Sequence, residues 1–189
     1  MGNEKEQANK DSKKSSNKSL KALIIVDMLN DFVKDGAPLK APEIETIIEP
    51  IKREINRAHR EEYPVIYICD SHDSDDKEFK LYPPHAIAGT KGADVIDQLK
   101  PERKDLIVRK KTFSSFYKTE LDKILKQEQI KEIIITGCVA NICVYFTAFE
   151  AVVRGLKVSV VLDSIIGLDR KDYDTAVEQM KKVLKVNLI

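Results

Sequence analysis

From Leu20 onward, short β-branched runs alternate with longer amphipathic stretches, and this alternation restricts the fold more than any other feature. Ala22–Val26 (ALIIV), Val65–Cys69 (VIYIC), Leu106–Val108 (LIV), Ile133–Thr136 (IIIT) and Val158–Leu162 (VSVVL) have strand length. Their near-continuous hydrophobicity, without a polar residue at every second place, predicts strands covered on both faces, as in parallel sheets. Between them, Glu43–Glu62 places Ile44, Ile47, Ile48, Ile51, Ile55 and Ala58 on one helical face, with Pro42 and Glu43 in its first turn. Lys118–Gln127 and Asp172–Leu184 have similar patterns. Asn141–Arg154 is apolar nearly all round and ends at Gly155, which predicts a buried helix with a glycine C-cap. Val186–Ile189 supplies a short final strand. Strand and helix in repeated alternation predict a three-layer α/β/α sandwich with a mostly parallel central sheet and right-handed crossovers.

The chain of 189 residues is long enough for one core, burying roughly 70% of the unfolded surface. Basic and acidic side chains nearly cancel, 32 against 31. No global positive field is available for a phosphate backbone, so nucleic acid is not an expected partner. No apolar run approaches the ~20 residues of a membrane span. Residues 1–19 carry five lysines and no aromatic or β-branched residue, the composition of a disordered polar tail; residues 20–189 are expected to form one domain. Three cysteines do not make a disulfide scaffold, and the N-terminus lacks a secretory apolar stretch, so a reducing cytoplasm is the expected location. There a cysteine is either inert packing or chemistry.

In open α/β sheets, ligands sit beyond the carboxyl ends of the strands, at a topological switch. The residues just after each apolar run therefore carry the functional information: Asp27 and Asp31, Asp70 and His72, Lys110 and Lys111, and Gly137 to Cys143. Cys143 lies in GCVANIC, where a strand breaks and a helix begins. A first-turn thiol feels the positive end of the helix dipole, and the free N–H groups there can hold an oxyanion. Taken alone, such a cysteine is more often a small buried hydrophobe, as Cys69 and Cys138 are expected to be. Its neighbours change the balance. Asp27 as base, Lys111 as cation and Cys143 as nucleophile form a complete set for acyl transfer.

A second constellation occupies DSHDSDDKEFKLYPPH, residues 70–85. Asp70 and His72 are two apart at a strand end and so point to one side. His85 follows Pro83-Pro84, whose fixed φ angles hold its position. Two imidazoles and a carboxylate suit one divalent metal ion, Zn²⁺, Fe²⁺ or Mn²⁺, and leave coordination positions open. Glu78 is a further candidate, as a ligand or as holder of a bound water. The competing reading is an acidic surface loop, made less comfortable by two of the chain's three histidines lying in it. His59, mid-helix, reads as an ordinary partly buried histidine.

Four segments in order, IIVDMLNDF ending at Phe32, DSHDSDDKEFKLYPPHAIAGTKG (70–92), KKTFSSF (110–116) and GCVANICVYFTA (137–148), resemble the isochorismatase-like cysteine hydrolase superfamily, and within it the nicotinamidases, or pyrazinamidases. The resemblance runs from about Lys21 to the C-terminus. It implies the superfamily's Rossmann-like α/β/α fold, with Asp27 as catalytic acid–base and Cys143 as nucleophile. Lys111, directly before TFSSF, matches the catalytic lysine, with Lys110 as the rival if the register shifts by one. Asp70, His72 and His85 match the metal triad, and Glu78 a glutamate that some members place near the ion. The Val139–Ala140 bond falls where the family often carries a cis peptide, so the backbone at Val139, Ala140 and Cys143 would form the oxyanion hole. Phe32, Phe113 and Phe116 fall where aromatic residues line the ring pocket. Leu29 departs from an often polar position and would change that pocket's polarity; Asn141 and Ala86 stand at two other variable positions.

The activity implied is hydrolysis of nicotinamide to nicotinate and ammonia through a cysteine thioacyl intermediate, in recycling of NAD breakdown products. The expected partner is a small-molecule amide, without nucleic acid or membrane, and the resemblance suggests a homo-oligomer without fixing its number. Two other readings remain open: a metal-free small-amide or isochorismatase-type hydrolase of the same fold, and a non-catalytic binding module with an unreactive Cys143.

Overall fold

The apolar runs become strands β1 (Lys21–Val26), β2 (Val65–Asp70), β3 (Leu106–Lys110), β4 (Glu132–Cys138), β5 (Lys157–Ile166) and β6 (Asn187–Leu188). The structure, a computed structural model, describes residues 20–189; the tail expected at 1–19 lies outside the described residues. The six strands form one sheet in the order β3-β2-β1-β4-β5-β6, and every pairing is parallel. The chain winds outward from β1 through β2 to β3, then returns to place β4 on the other side of β1. The switch point thus lies between the carboxyl ends of β1 and β4, where Asp27 and Cys143 follow their strands.

Five α-helices are described: α1 (Asn30–Val33), α2 (Ile48–Arg60), α3 (Leu121–Gln127), α4 (Tyr145–Val153) and α5 (Arg170–Lys182). Successive strand residues face opposite ways and feed two cores. Ala22, Ile24 and Val26 of β1 join the core that holds Leu121, Leu125, Ala148 and Met180 of α3, α4 and α5. Leu23 and Ile25 join Ile51, Ile55 and Ala58 of α2 on the other face. The sheet is therefore covered on both sides, which is why its strands need no polar face.

The helices differ from their sequence patterns in instructive ways. The stretch at 43–62 divides into a 3-10 turn, Ile44–Ile47, and α2. Pro50 has no N–H to give Thr46 and its ring would meet that carbonyl, so an unbroken α-helix from Glu43 is disfavoured. With α2 starting at Ile48, Pro50 falls in the tolerant first turn. At the other end of the chain, Asp169 caps α5 by accepting from Asp172 N–H at 2.7 Å, which starts that helix two residues before the apolar pattern does. The stretch at 141–154 splits into a π turn, Ala140–Val144, followed by α4, and Gly155 ends it at φ +77°. This helix is not buried all round: Phe146, Phe149 and Val153 are 40, 42 and 67% exposed, because only its inner face meets the sheet.

β4 also approaches β1 closely at a glycine. Gly137 has φ +108°, and a Cβ there would lie 2.1 Å from the Val26 carbonyl oxygen. The absence of a side chain lets β4 close on β1 just where both deliver site residues. Gly137→Ala is expected to cost about 3 kcal/mol from backbone strain and overpacking together, read as a lowered urea midpoint with an unchanged m-value.

Candidate active site

The centre of the site is an ammonium group with no access to water. Lys110, the last residue of β3, has a fully buried side chain. Its Nζ lies 2.8 Å from Asp27 Oδ2, donates to Asp70 Oδ1 and stands 3.5 Å from Cys143 Sγ. Burial works against this charge, but Asp27, Asp70 and Cys143 around it hold the Lys110 pKa well above the ordinary lysine range. Lys111, one residue on, turns outward with a half-exposed side chain and pairs with Asp73. β3 extends two residues past its apolar run, so the strand alternation sends Lys110 inward and Lys111 to solvent. The lysine beside Asp27 and Cys143 is the register rival, not Lys111.

Asp27 directly follows β1 in the left-handed region, at φ 53°. Its Oδ1 accepts from Asp70 N–H at 2.9 Å, tying the ends of β1 and β2 together. Burial, joined by the Asp70 charge, raises its pKa to about 6, with Lys110 pulling the other way. Burial also pushes the Cys143 thiol up, while the Lys110 charge opposes that rise. Asp27, Asp70 and Cys143 place their ligating atoms within 4.8 Å of one another. A protonated thiol thus rests beside a carboxylate able to take its proton and an ammonium able to hold the resulting charge. Cys143 sits in the π turn, a wide helical turn frequent at functional sites. The non-proline cis bond falls at Cys138–Val139, one bond before the expected Val139–Ala140. Cys138 and Cys69 are both buried, and burial raises their thiol pKa values, Cys69 to about 12. What sets Cys143 apart from these two is its contact with the Lys110 ammonium.

Asp70 faces two ways. Its Oδ1 serves Lys110, while Oδ2 lies 3.8 Å from His72 Nε2 and 4.0 Å from His85 Nε2. Each imidazole is steered through its other nitrogen. His85 Nδ1 donates to the Pro83 carbonyl at 2.8 Å, which leaves Nε2 bare. His72 Nδ1 lies 3.2 Å from Asp76 Oδ2, and its buried Nε2 has no hydrogen-bond partner among the described residues. An orphaned buried nitrogen beside a second imidazole and a carboxylate fits a divalent metal ion, with the outer nitrogens held as metal-site histidines usually are. Glu78 Oε1 stands 3.9 Å from His85 Nε2, and burial raises its pKa. Asp76, four residues after His72 and not singled out in the sequence, also accepts from Glu78 N–H at 2.9 Å.

Both groups open into one cavity of about 260 Å³. Asp27, Asp70, Glu78, His85, Val139 and Cys143 line it beside the apolar Phe32, Tyr82, Phe113, Ile142 and Leu168. Phe32 meets the His85 ring edge-on at 5.5 Å between centroids. Phe116 lies elsewhere, buried in the core with the Arg154 guanidinium 4.3 Å from its ring centre, and Ala140 is buried at the start of the turn between Val139 and Cys143. Leu29 is fully buried against α2 and does not line the cavity, so its apolar character serves packing. Tyr82, Ile142 and Leu168 escaped the sequence reading because lone apolar residues in loops and turns carry no periodic signal. His59 sits at the opposite end of the sheet, 2.7 Å from Asp105 and 3.2 Å from Glu102.

Residues 21–187 match the family model described as the isochorismatase domain. The chain is 34% identical over 167 residues to YaaI, an uncharacterized isochorismatase family protein of Bacillus subtilis (strain 168), covering 88% of this chain and 92% of that one. N-carbamoylsarcosine amidase from Thermoplasma acidophilum has a similar structure, with a TM-score of 0.81 at 32% identity over 89% of this chain and 94% of that one. The pyrazinamidase of Pyrococcus horikoshii, crystallised in complex with zinc, gives 0.85 at 27% identity over 90 and 99%. Among the described residues no helix is long and apolar enough to cross a membrane. The match runs from β1 to the start of β6 and takes in every residue of the two side-chain clusters, and the chain belongs to the isochorismatase family.

Proposed function

We propose that the chain is a nicotinamidase, hydrolysing the carboxamide of nicotinamide to nicotinate and ammonia. The observation that carries this reading is the sharing of Asp70: one carboxylate joins the Lys110–Asp27–Cys143 cluster to the His72–His85 pair across a single aromatic-walled cavity. A flat ring bearing an amide and a metal-binding nitrogen suits such a cavity. Asp70, His72 and His85 would hold one divalent ion, with Glu78 beside it. When bound, the ion would supply a Lewis-acid anchor for the ring nitrogen. Its presence in the pyrazinamidase of P. horikoshii supports the assignment without fixing the metal here.

In this reading Asp27 takes the Cys143 proton as sulfur attacks the carboxamide carbon. A C–S bond forms and the carbonyl oxygen becomes an oxyanion, held by backbone N–H groups of the 139–143 turn. Lys110 steadies the carboxylate and the developing thiolate without giving up its proton. As the tetrahedral species collapses, the C–N bond breaks and Asp27 passes its proton to the leaving nitrogen, releasing ammonia. Water, deprotonated by Asp27, then cleaves the thioester to nicotinate and restores the thiol. Phe32, Phe113 and Tyr82 wall the ring in.

A second reading has support of its own. The identity to N-carbamoylsarcosine amidase, 32%, exceeds that to the pyrazinamidase, 27%, which favours a different small amide. Ammonia release from nicotinamide, measured before and after chelation and metal restoration, separates the two. Release that is lost with chelator and regained with metal is expected. Absence of release from metal-loaded protein whose Cys143 still alkylates would discard nicotinamide as substrate and keep the hydrolase.

Cys143→Ala should fold normally, by circular dichroism, and lose about 10⁴-fold or more in kcat. The two lysines should separate cleanly. Lys110→Ala leaves two buried carboxylates uncompensated and is expected to cost about 3–5 kcal/mol as well as activity. Lys111→Ala removes only an exposed pair and should stay within about 0.5 kcal/mol and twofold of the parent rate. The inverse pattern would return the catalytic role to Lys111.

A further inference from the structure

Asp31 lies outside the cavity, yet its carboxylate reaches 55 residues along the chain to the peptide that carries His85. Its Oδ2 accepts from Ala86 N–H at 2.8 Å. Ala86 is fully buried and held at φ 43°, a conformation alanine rarely adopts. Its carbonyl in turn accepts from His72 N–H at 3.0 Å, and Ala88 N–H returns to the His72 carbonyl at 2.9 Å. Ala86 therefore links the backbones of both imidazoles: Asp31 grips the peptide on its His85 side, and the peptide on its Ile87 side accepts from His72.

The grip depends on a glycine in the loop that passes behind it. A Cβ at Gly92 would fall 2.1 to 2.5 Å from the Asp31 carboxylate atoms. No other residue type leaves the carboxylate where it is. The surrounding contacts brace the same two segments. Asn30 Nδ2 donates to Lys91 O at 2.6 Å, and Asn30 N–H donates to Asp94 O at 3.0 Å. Leu29 bridges Val95, and Phe32 rests against the His85 ring.

We infer that Asp31 is a positioning residue for the metal site, acting through the Ala86 peptide, and that Gly92 is the complement that lets it act. The inference rests on the metal assignment under the proposed function but not on the choice of substrate. An ion ligated by Asp70, His72 and His85 needs the two Nε2 atoms held near one another. The Asp31 carboxylate fixes the angle at which His85 leaves its loop, because charge-assisted bonds to backbone N–H groups are short and directional. Outer partners of this kind typically govern metal affinity by about 10–100-fold.

Equilibrium zinc affinity, measured by competition with a chromophoric chelator on the full chain, provides a readout independent of turnover. Asp31→Ala is expected to weaken zinc binding about 10–100-fold, and Asp31→Asn, which keeps an acceptor oxygen, to recover most of the loss. Gly92→Ala should weaken binding by about tenfold or more with the carboxylate still present. In the Asp31→Ala background, where that carboxylate is gone, Gly92→Ala should add nothing. Alkylation of Cys143 should proceed at the parent rate in every variant, which guards against a general loss of fold. Unchanged affinity in Asp31→Ala, or a full additive loss in the double variant, overturns the inference. Zinc binding that follows the expected series without any nicotinamide hydrolysis leaves it standing and removes only the substrate. A parent chain with no measurable zinc affinity overturns both the metal assignment and the role of Asp31.

Discussion

A charged lysine sealed between two carboxylates is the constraint around which the site is arranged. Lys110 has nowhere to discharge its field except onto Asp27, Asp70 and the Cys143 sulfur, so those groups must arrive together. They come from β1, β2 and the turn after β4, neighbours in the sheet although far apart in sequence. Burying any one of these charges alone would be prohibitive; together they are tolerable. Two carboxylates against one ammonium leave the buried cluster with an excess of negative charge, and burial together with the Asp70 charge raises the Asp27 pKa to about 6. That excess faces the bare imidazole nitrogens, where a divalent cation would balance it.

The fold serves this arrangement with short connections. Parallel pairing brings the carboxyl ends of the strands to one edge, and the switch between β1 and β4 opens the crevice there. Gly137 allows the two strands to approach closely at that edge. Beyond the strands, the loop at 70–96 bends back so that Asp76 and Pro83 each hold one imidazole from behind. The strand ends carry the Lys110 cluster, and local hydrogen bonds aim the imidazoles on the loop.

Much of this was legible in the sequence, and what was not has a common cause. Continuous β-branched runs identify buried parallel strands because nothing else in a chain of this composition needs them. Asp27, Asp70, His72, His85 and Cys143 could be found because each follows such a run or lies in one short loop. Lys110 could not be separated from Lys111, since the choice depends on the strand continuing past its apolar run, which puts Lys110 on the same side as buried Val108. Phe116 was misplaced into the cavity because residue type alone does not reveal the side of a loop from which a ring projects. Leu29, next to the site in sequence, turns into the core instead, a direction that no periodic pattern marks in so short a segment. The break in the helix at 43–62 was implicit in Pro50, whose missing N–H matters only once the helix start is known. Asp76 and Gly92 are invisible without coordinates, because their roles exist only in contacts across the loop.

Ile142 and Val139 flank Cys143, but most of the apolar cavity wall comes from segments other than those carrying the groups proposed to react. The groups proposed to react stand at strand ends, or one turn beyond, where sheet pairing and close packing leave little freedom. Phe32, Leu39, Tyr82 and Leu168 come instead from connecting segments that bear no part of the sheet. Surface connections accept substitution and insertion far more readily than paired strands do. Substitutions in those segments can therefore change what the cavity admits while the cluster around Lys110 stays in place, so the shape of the pocket and the placement of its charges can be altered separately.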